Sequence, residues 1–129
     1  MAITFSQMVA RAMAEVPVID PTEAHRRLQE EPRTLVIDPR DADDIPVTGM
    51  MPGAINISYG ALTYRADNEL PADWREPELA DRSRPIITTC ESGELAALGG
   101  KLLKDMGFSN VSILAGGTLA WKEAGYPTE

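Results

Sequence analysis

The chain has one cysteine and one histidine. A single thiol closes no disulfide within the chain, builds no cysteine-based zinc site and forms no Cys-x-x-Cys redox pair. Basic residues are also scarce: twelve Lys and Arg stand against twenty Asp and Glu, for a net charge of -8 and a pI near 4.6. Such a field repels phosphate backbones, so nucleic acid is not an expected partner. Long apolar runs are missing, and nothing approaches the ~18 to 20 residues that span a bilayer, so no membrane partner is expected. Ala12-Met13-Ala14 has the outline of a signal-peptidase site, but no basic residue precedes the apolar stretch, and Thr4, Ser6 and Gln7 interrupt it. The expected compartment is the cytoplasm.

What remains is ordinary globular composition over 129 residues, 43% hydrophobic and 25% charged, enough for one core and one main domain. Phe5, Met8, Val9, Ala12 and Met13 recur at helical spacing behind a Thr4/Gln7 capping box, which predicts a helix near residues 5–14 as an added layer. Asp20, Pro21 and Glu23 open a second helix that runs to about Glu30. Short β-branched runs at 34–37, 54–57, 85–89 and 111–114 read as strands buried on both faces, and the segments between them favour a mostly parallel sheet. Residues 63–84 read as a long surface excursion with Trp74 as its large apolar anchor. A helix carrying Leu95, Leu98, Leu102, Leu103 and Met106 follows the third strand, with Gly107 as its stop. The six methionines are expected in the core.

Cys90 stands at the carboxyl end of a predicted buried strand, before a glycine-containing loop that opens a helix, the place where ligands bind in open α/β sheets. Inward-pointing N–H groups and the positive helix end favour a thiolate there; a buried structural cysteine is the plain alternative. Missing partners narrow the chemistry. A phosphatase loop wants Arg six positions past the cysteine, and this chain has Ala96. A Cys-His hydrolase needs an imidazole, and His25 lies far off on the early helix beside Arg26 and Arg27, where a solvent-facing position is expected. Transfer of sulfane sulfur through a persulfide needs only one thiol and a ring of N–H donors.

These residues resemble a single-domain rhodanese from about Val18 to Pro127. Leu35 to Arg40 matches the strand that ends in Asp-x-Arg, Gly49 to Ile57 the Gly-His-Ile-Pro-Gly-Ala-x-Asn-Ile segment, Cys90 to Gly93 the Cys-x-x-Gly loop opening, and Val111 to Pro127 the closing signature. The resemblance implies an α/β, rhodanese-like three-layer sandwich with a mostly parallel central sheet flanked by helices, and a six-residue loop starting at the nucleophile. It divides the chain into a helical extension at residues 1–17 and a rhodanese-like domain at 18–129. Met50 replaces a residue that is usually polar, and Leu95 stands where many members carry an arginine for the anionic donor. With Glu91 and Glu94 alongside, the loop is a poor receptacle for thiosulfate, a dianion.

Other features read as structural: Gly116-Gly117 as a tight turn, Asp38 and Arg40 as an ion pair, and Asp41, Asp43 and Asp44 as a solvated acidic face. The expected function is a sulfurtransferase that forms a persulfide on Cys90, with Glu91, Ser92, Gly93, Glu94 and Leu95 holding the transferred sulfur. No metal or cofactor is implied. The expected partners are a small or protein-bound sulfane-sulfur donor and a thiol acceptor. The alternative is a rhodanese-fold binding or regulatory module with little turnover.

Overall fold

Short β-branched runs leave room only for short strands, and the computed structural model, which describes residues 2–129, contains strands of two to four residues. They are β1 (Val18–Ile19), β2 (Leu35–Asp38), β3 (Ile55–Asn56), β4 (Ile86–Thr88) and β5 (Val111–Leu114). All pair in parallel in the order β1-β5-β4-β2-β3. The three central strands are buried along their whole length, which explains their continuous rather than alternating apolar sequence. Alternation within each strand sorts side chains to the two faces. Leu35, Ile37, Ile86, Val111 and Ile113 join one core cluster, while Val36, Ile87 and Leu114 join the other.

The first face is covered by α1 (Phe5–Glu15), α3 (Tyr59–Arg65) and α4 (Glu94–Asp105), and the second by α2 (Pro21–Glu30) and α5 (Gly117–Glu123). None of the described helices is long and apolar enough to cross a membrane. α1 starts at the expected capping box: Gln7 N–H donates to Thr4 Oγ1 at 3.1 Å, and Thr4 N–H donates to Gln7 Oε1 at 2.9 Å. The helix packs on α4, with Val9 and Ala12 buried and Val16 just past its end. Burial at ~1.5 to 3 kcal/mol per valine side chain outweighs the half-exposed Glu15–Lys101 pair, which belongs to a class worth at most about 1 kcal/mol.

Several expectations need correction. Residues 63–84 do not form a bare loop, because α3 runs into the segment and 3-10 turns at Ala72–Trp74 and Pro77–Leu79 follow. Its buried anchor is Leu79 at 1% exposure, whereas Trp74 is 52% exposed and only meets Tyr64 edge-on. Arg82 ties this segment inward by donating to the carbonyls of Leu79 and Ala66. Among the described methionines only Met51 is fully buried, and Met8 and Met13 are exposed, because α1 covers the domain with one narrow flank. Of the expected leucines of α4 only Leu103 lies on its deepest face, which is otherwise made of small residues. Ala96, Ala97, Gly99, Gly100 and Leu103 are buried, with Leu95, Leu98 and Leu102 beside them. A Cβ at Gly100 would come within 3.0 Å of Ile113 Cγ1, so the small residues let α4 lie directly on the sheet.

His25 is half-buried rather than solvent-facing. It stacks on Tyr126 with ring centroids 4.4 Å apart and lies 6.0 Å from Trp121, in the layer on the second face. Cys90 belongs to the cluster on the first face. The sheet therefore separates the imidazole from the thiol.

Candidate active site

Parallel strands bring their carboxyl ends to one edge, and the pairing of Ile37 with Thr88 sets the ends of β2 and β4 side by side. Arg40 and Cys90 follow those ends by two residues each. The Cys90 loop is fixed through its carbonyls: Thr118 N–H donates to Cys90 O at 2.7 Å and Leu119 N–H to Glu91 O at 3.0 Å. This approach requires Gly117, whose φ is +64° and where a Cβ would lie 2.7 Å from Cys90 O. Gly116-Gly117 is thus a tight turn as expected, and it also presses the first turn of α5 against the cysteine loop. Buried threonines reinforce the join, with Thr89 Oγ1 2.9 Å from Thr118 Oγ1 and Thr88 Oγ1 donating to Ala96 O at 2.8 Å.

With its carbonyls held outward, the loop turns N–H groups onto the sulfur. Gly93, with φ +109°, reverses the chain into α4. Gly93 N–H donates to Cys90 Sγ at 3.1 Å and Ala96 N–H at 3.3 Å. These two donors and the start of a 12-residue helix favour negative charge on the sulfur. Cys90 itself is only 3% exposed, at the floor of a cavity of about 350 Å³.

Glu91, Ser92, Glu94 and Leu95 line that cavity with Cys90, while Gly93 is buried and contributes its N–H. Ser92 Oγ donates to Glu94 Oε2 at 2.6 Å. Leu95 is half-buried, packing against the core and reaching the cavity at the same time. Several participants lie outside the expected set: Ala96 through its N–H, Phe5 from α1, and Arg40, Asp44 and Val47 from the facing wall. Arg40 was legible in principle, since it directly follows a strand that neighbours β4.

The Asp38–Arg40 ion pair is present and buried, at 0% and 4% exposure. Arg40 Nε donates to Asp38 Oδ1 at 2.9 Å and Nη2 to Oδ2 at 2.6 Å. Nη1 donates to Thr48 Oγ1 and Asp44 O, and Nη2 also to Gly49 O. A guanidinium has five N–H donors, and all five have partners here. Burial opposes its charge, but the Asp38 carboxylate, with Cys90 and Glu91 adding to it, raises the Arg40 pKa above its ordinary value. Arg40 lends the cavity fixed positive charge and offers no free donor to an incoming oxyanion.

The rhodanese-like domain family model matches residues 20–124. A Rhodopseudomonas palustris protein of unknown function, described as a possible tyrosine phosphatase, is 25% identical and superposes with a TM-score of 0.90, covering 100% of this chain and 96% of that one. A polysulfide-sulfur transferase homodimer from Wolinella succinogenes is 30% identical with a TM-score of 0.71, covering 97% of this chain and 86% of that one. A sulfurtransferase of Allochromatium vinosum is 28% identical over 109 residues, covering 84% of this chain and 91% of the relative. The phosphatase description does not carry to this loop, where the Ala96 methyl stands in place of the arginine that a phosphate clamp needs. The likeness to named sulfurtransferases supports a sulfurtransferase type of function. With the family model matching most of its length, the chain belongs to the rhodanese-like domain family.

Proposed function

We propose that this protein is a sulfurtransferase whose carrier is a persulfide on Cys90. The observation that carries the reading is Cys90 Sγ, met by the Gly93 and Ala96 N–H groups at the floor of an open cavity. A thiolate there attacks the outer sulfur of a persulfide donor. A new Sγ–S bond forms as the donor's S–S bond breaks, and the donor departs as a thiolate with the electron pair. An acceptor thiolate then takes the outer sulfur, and the pair of the Sγ–S bond returns to Sγ. No outside oxidant or reductant enters, and backbone N–H groups aimed at the sulfur stabilise each anionic state.

The donor is a neutral or protein-bound persulfide in preference to thiosulfate. Glu91 and Glu94 line the cavity, and the donors of Arg40 are engaged. Incubation with an alkyl persulfide is expected to add about 32 Da, one sulfur, removable by reductant; Cys90→Ala is expected to gain nothing. The absence of a free cation among the described residues that line the cavity equally favours a second reading, a binding module with little turnover. Wild-type protein that stays unmodified with every donor class, and releases no thiocyanate to cyanide, would select that reading.

A further inference from the structure

Sulfur transfer at Cys90 does not by itself require the side chains that surround the cavity mouth. Phe5 and Val47 line the cavity yet are 51% and 65% exposed. Single exposed apolar residues are common, but large ones gathered at one opening mark an interaction surface. Phe5 is the first residue of α1, so this part of the rim comes from outside residues 20–124, the span matched by the family. Carboxylates prevail at the mouth: Asp44, Glu91 and Glu94 line it, and the one guanidinium among the described lining residues, Arg40, is buried and paired with Asp38.

We propose that the sulfur acceptor is a cysteine on a basic polypeptide segment. Its lysines or arginines would face the three carboxylates, and an apolar side chain beside the cysteine would cover Phe5 and Val47. This rests on the persulfide reading and names the partner of that same site. A small anionic thiol is repelled by the carboxylates. A small neutral one leaves the apolar rim uncovered. A basic segment with an apolar neighbour answers both features, and charge complementarity of this kind acts on encounter and on rejection of wrong partners.

The test loads Cys90 with a neutral alkyl persulfide, removes the excess, and follows transfer by mass to peptides of sequence Lys-Leu-Cys-Phe-Lys, Glu-Leu-Cys-Phe-Glu and Lys-Gly-Cys-Gly-Lys, and to cysteamine. Each rate is divided by that thiol's rate with the free persulfide, because flanking charge alters thiol reactivity. The basic apolar peptide is expected to exceed the acidic one by about 10-fold at low salt, falling toward 2-fold at high salt. It is expected to exceed the glycine peptide by about 3- to 10-fold, an advantage lost in Phe5→Ser and Val47→Ser. Met13→Ser, exposed on the same helix and not lining the cavity, serves as the control and keeps the advantage. Equal normalised rates for all acceptors would overturn the proposal. So would cysteamine matching the basic peptide with no effect of Phe5→Ser, since the site would then read charge alone. Failure at the loading step is a separate result that removes the persulfide reading and this inference together.

Discussion

The two walls of the Cys90 cavity are held by different physics. The nucleophile's loop is fixed by backbone: the carbonyls of Cys90 and Glu91 are taken by α5, glycines occupy the close approaches, and N–H groups converge on Sγ. The facing wall, residues 41–49, is built on an exposed 3-10 turn at Ala42–Val47 that has no buried residue of its own, with Thr48 buried just past its end. It hangs on Arg40, which reaches Asp44 O, Thr48 Oγ1 and Gly49 O from its pair with Asp38, and on Met50, which exchanges two backbone hydrogen bonds with Glu129. Backbone geometry tolerates almost any side chain at Glu91, Ser92 and Glu94. A wall held by one guanidinium tolerates little change at that residue. The difference separates the part that presents the sulfur from the part that meets the partner.

The largest expected effect comes from breaking the pair that holds the facing wall. Asp38→Ala leaves a buried guanidinium without its counter-charge, and removing one partner of a buried pair costs about 3 to 5 kcal/mol. Urea denaturation would measure it, and a double variant with Asp38→Leu and Arg40→Met is expected to recover part of the loss. A cost below about 1 kcal/mol would mean that water already reaches the pair. Gly117→Ala probes the other wall. Its Cβ meets Cys90 O at 2.7 Å under a φ of +64°, a combination expected to cost about 2 to 3 kcal/mol. Unlike the first variant it should also displace the cysteine loop, so the alkylation rate of Cys90 should change more in Gly117→Ala than in the Asp38/Arg40 double variant, which removes a pair of no net charge from the facing wall. If both variants alter that rate equally, the two walls are not independent.

Much of this arrangement was legible in the sequence. The central strands stood out because burial on both faces makes them continuously apolar, and Val111–Leu114 carries the same limits in sequence and structure. α1 and α2 were marked by capping residues whose hydrogen bonds are local. Cys90 was marked by its strand end and by the glycine after it. What escaped depended on neighbours remote in the chain. β1, two residues at an edge, is defined by its pairing with Ile113 and Leu114. α3 has a single buried residue, Leu62, too few for a periodic signal. The approach of Thr118 to Cys90 joins segments 28 residues apart, and Phe5 reaches the cavity only because α1 packs on α4. Local pattern reports what a segment buries, and it is silent on which other segment does the burying.

A smaller effect in stability, and a sharper one in chemistry, is expected from Leu95→Arg. Leu95 sits half in the core and half in the cavity. A guanidinium reaching outward would supply the free donors that Arg40 lacks, and a charge-assisted contact is worth about 1.5 to 3 kcal/mol. With thiosulfate this corresponds to roughly a 10- to 100-fold gain in kcat/KM, with much less for a neutral donor, so the ratio between donors is the quantity to measure. The lost leucine contacts should cost about 1 kcal/mol in the melting curve. A stable variant with no selective gain for thiosulfate would place the Leu95 direction away from the donor and remove it from the account of specificity.

The smallest effect is the counterpart of the first, an ion pair outside the core. Glu23 on α2 accepts from Arg26 Nε at 2.9 Å and from Arg27 Nε at 3.0 Å. The Arg26 and then the Arg27 hydrogen bonds hold its carboxyl at about 2, below the ordinary 4.5. A carboxyl lowered in the folded state stabilises fully above its unfolded value and stops doing so as pH falls through its folded value. Glu23→Gln should therefore lower the melting temperature slightly at pH 7, by no more than about 2 °C for groups this exposed. The gap between variant and wild type should shrink as pH falls from 4.5 to 2, and should also shrink with added salt. Arg27 supplies the discriminating detail, because its Nη1 donates to Ser112 Oγ at 2.9 Å and so links α2 to a central strand. If Glu23 also orients Arg27 for that contact, the loss in Glu23→Gln will resist salt, and Ser112→Ala will abolish the salt-resistant part. A loss that salt removes completely would show Glu23 acting as a surface charge alone, and the contrast with the buried Asp38–Arg40 pair would then be one of solvent exposure acting on the same two kinds of charge.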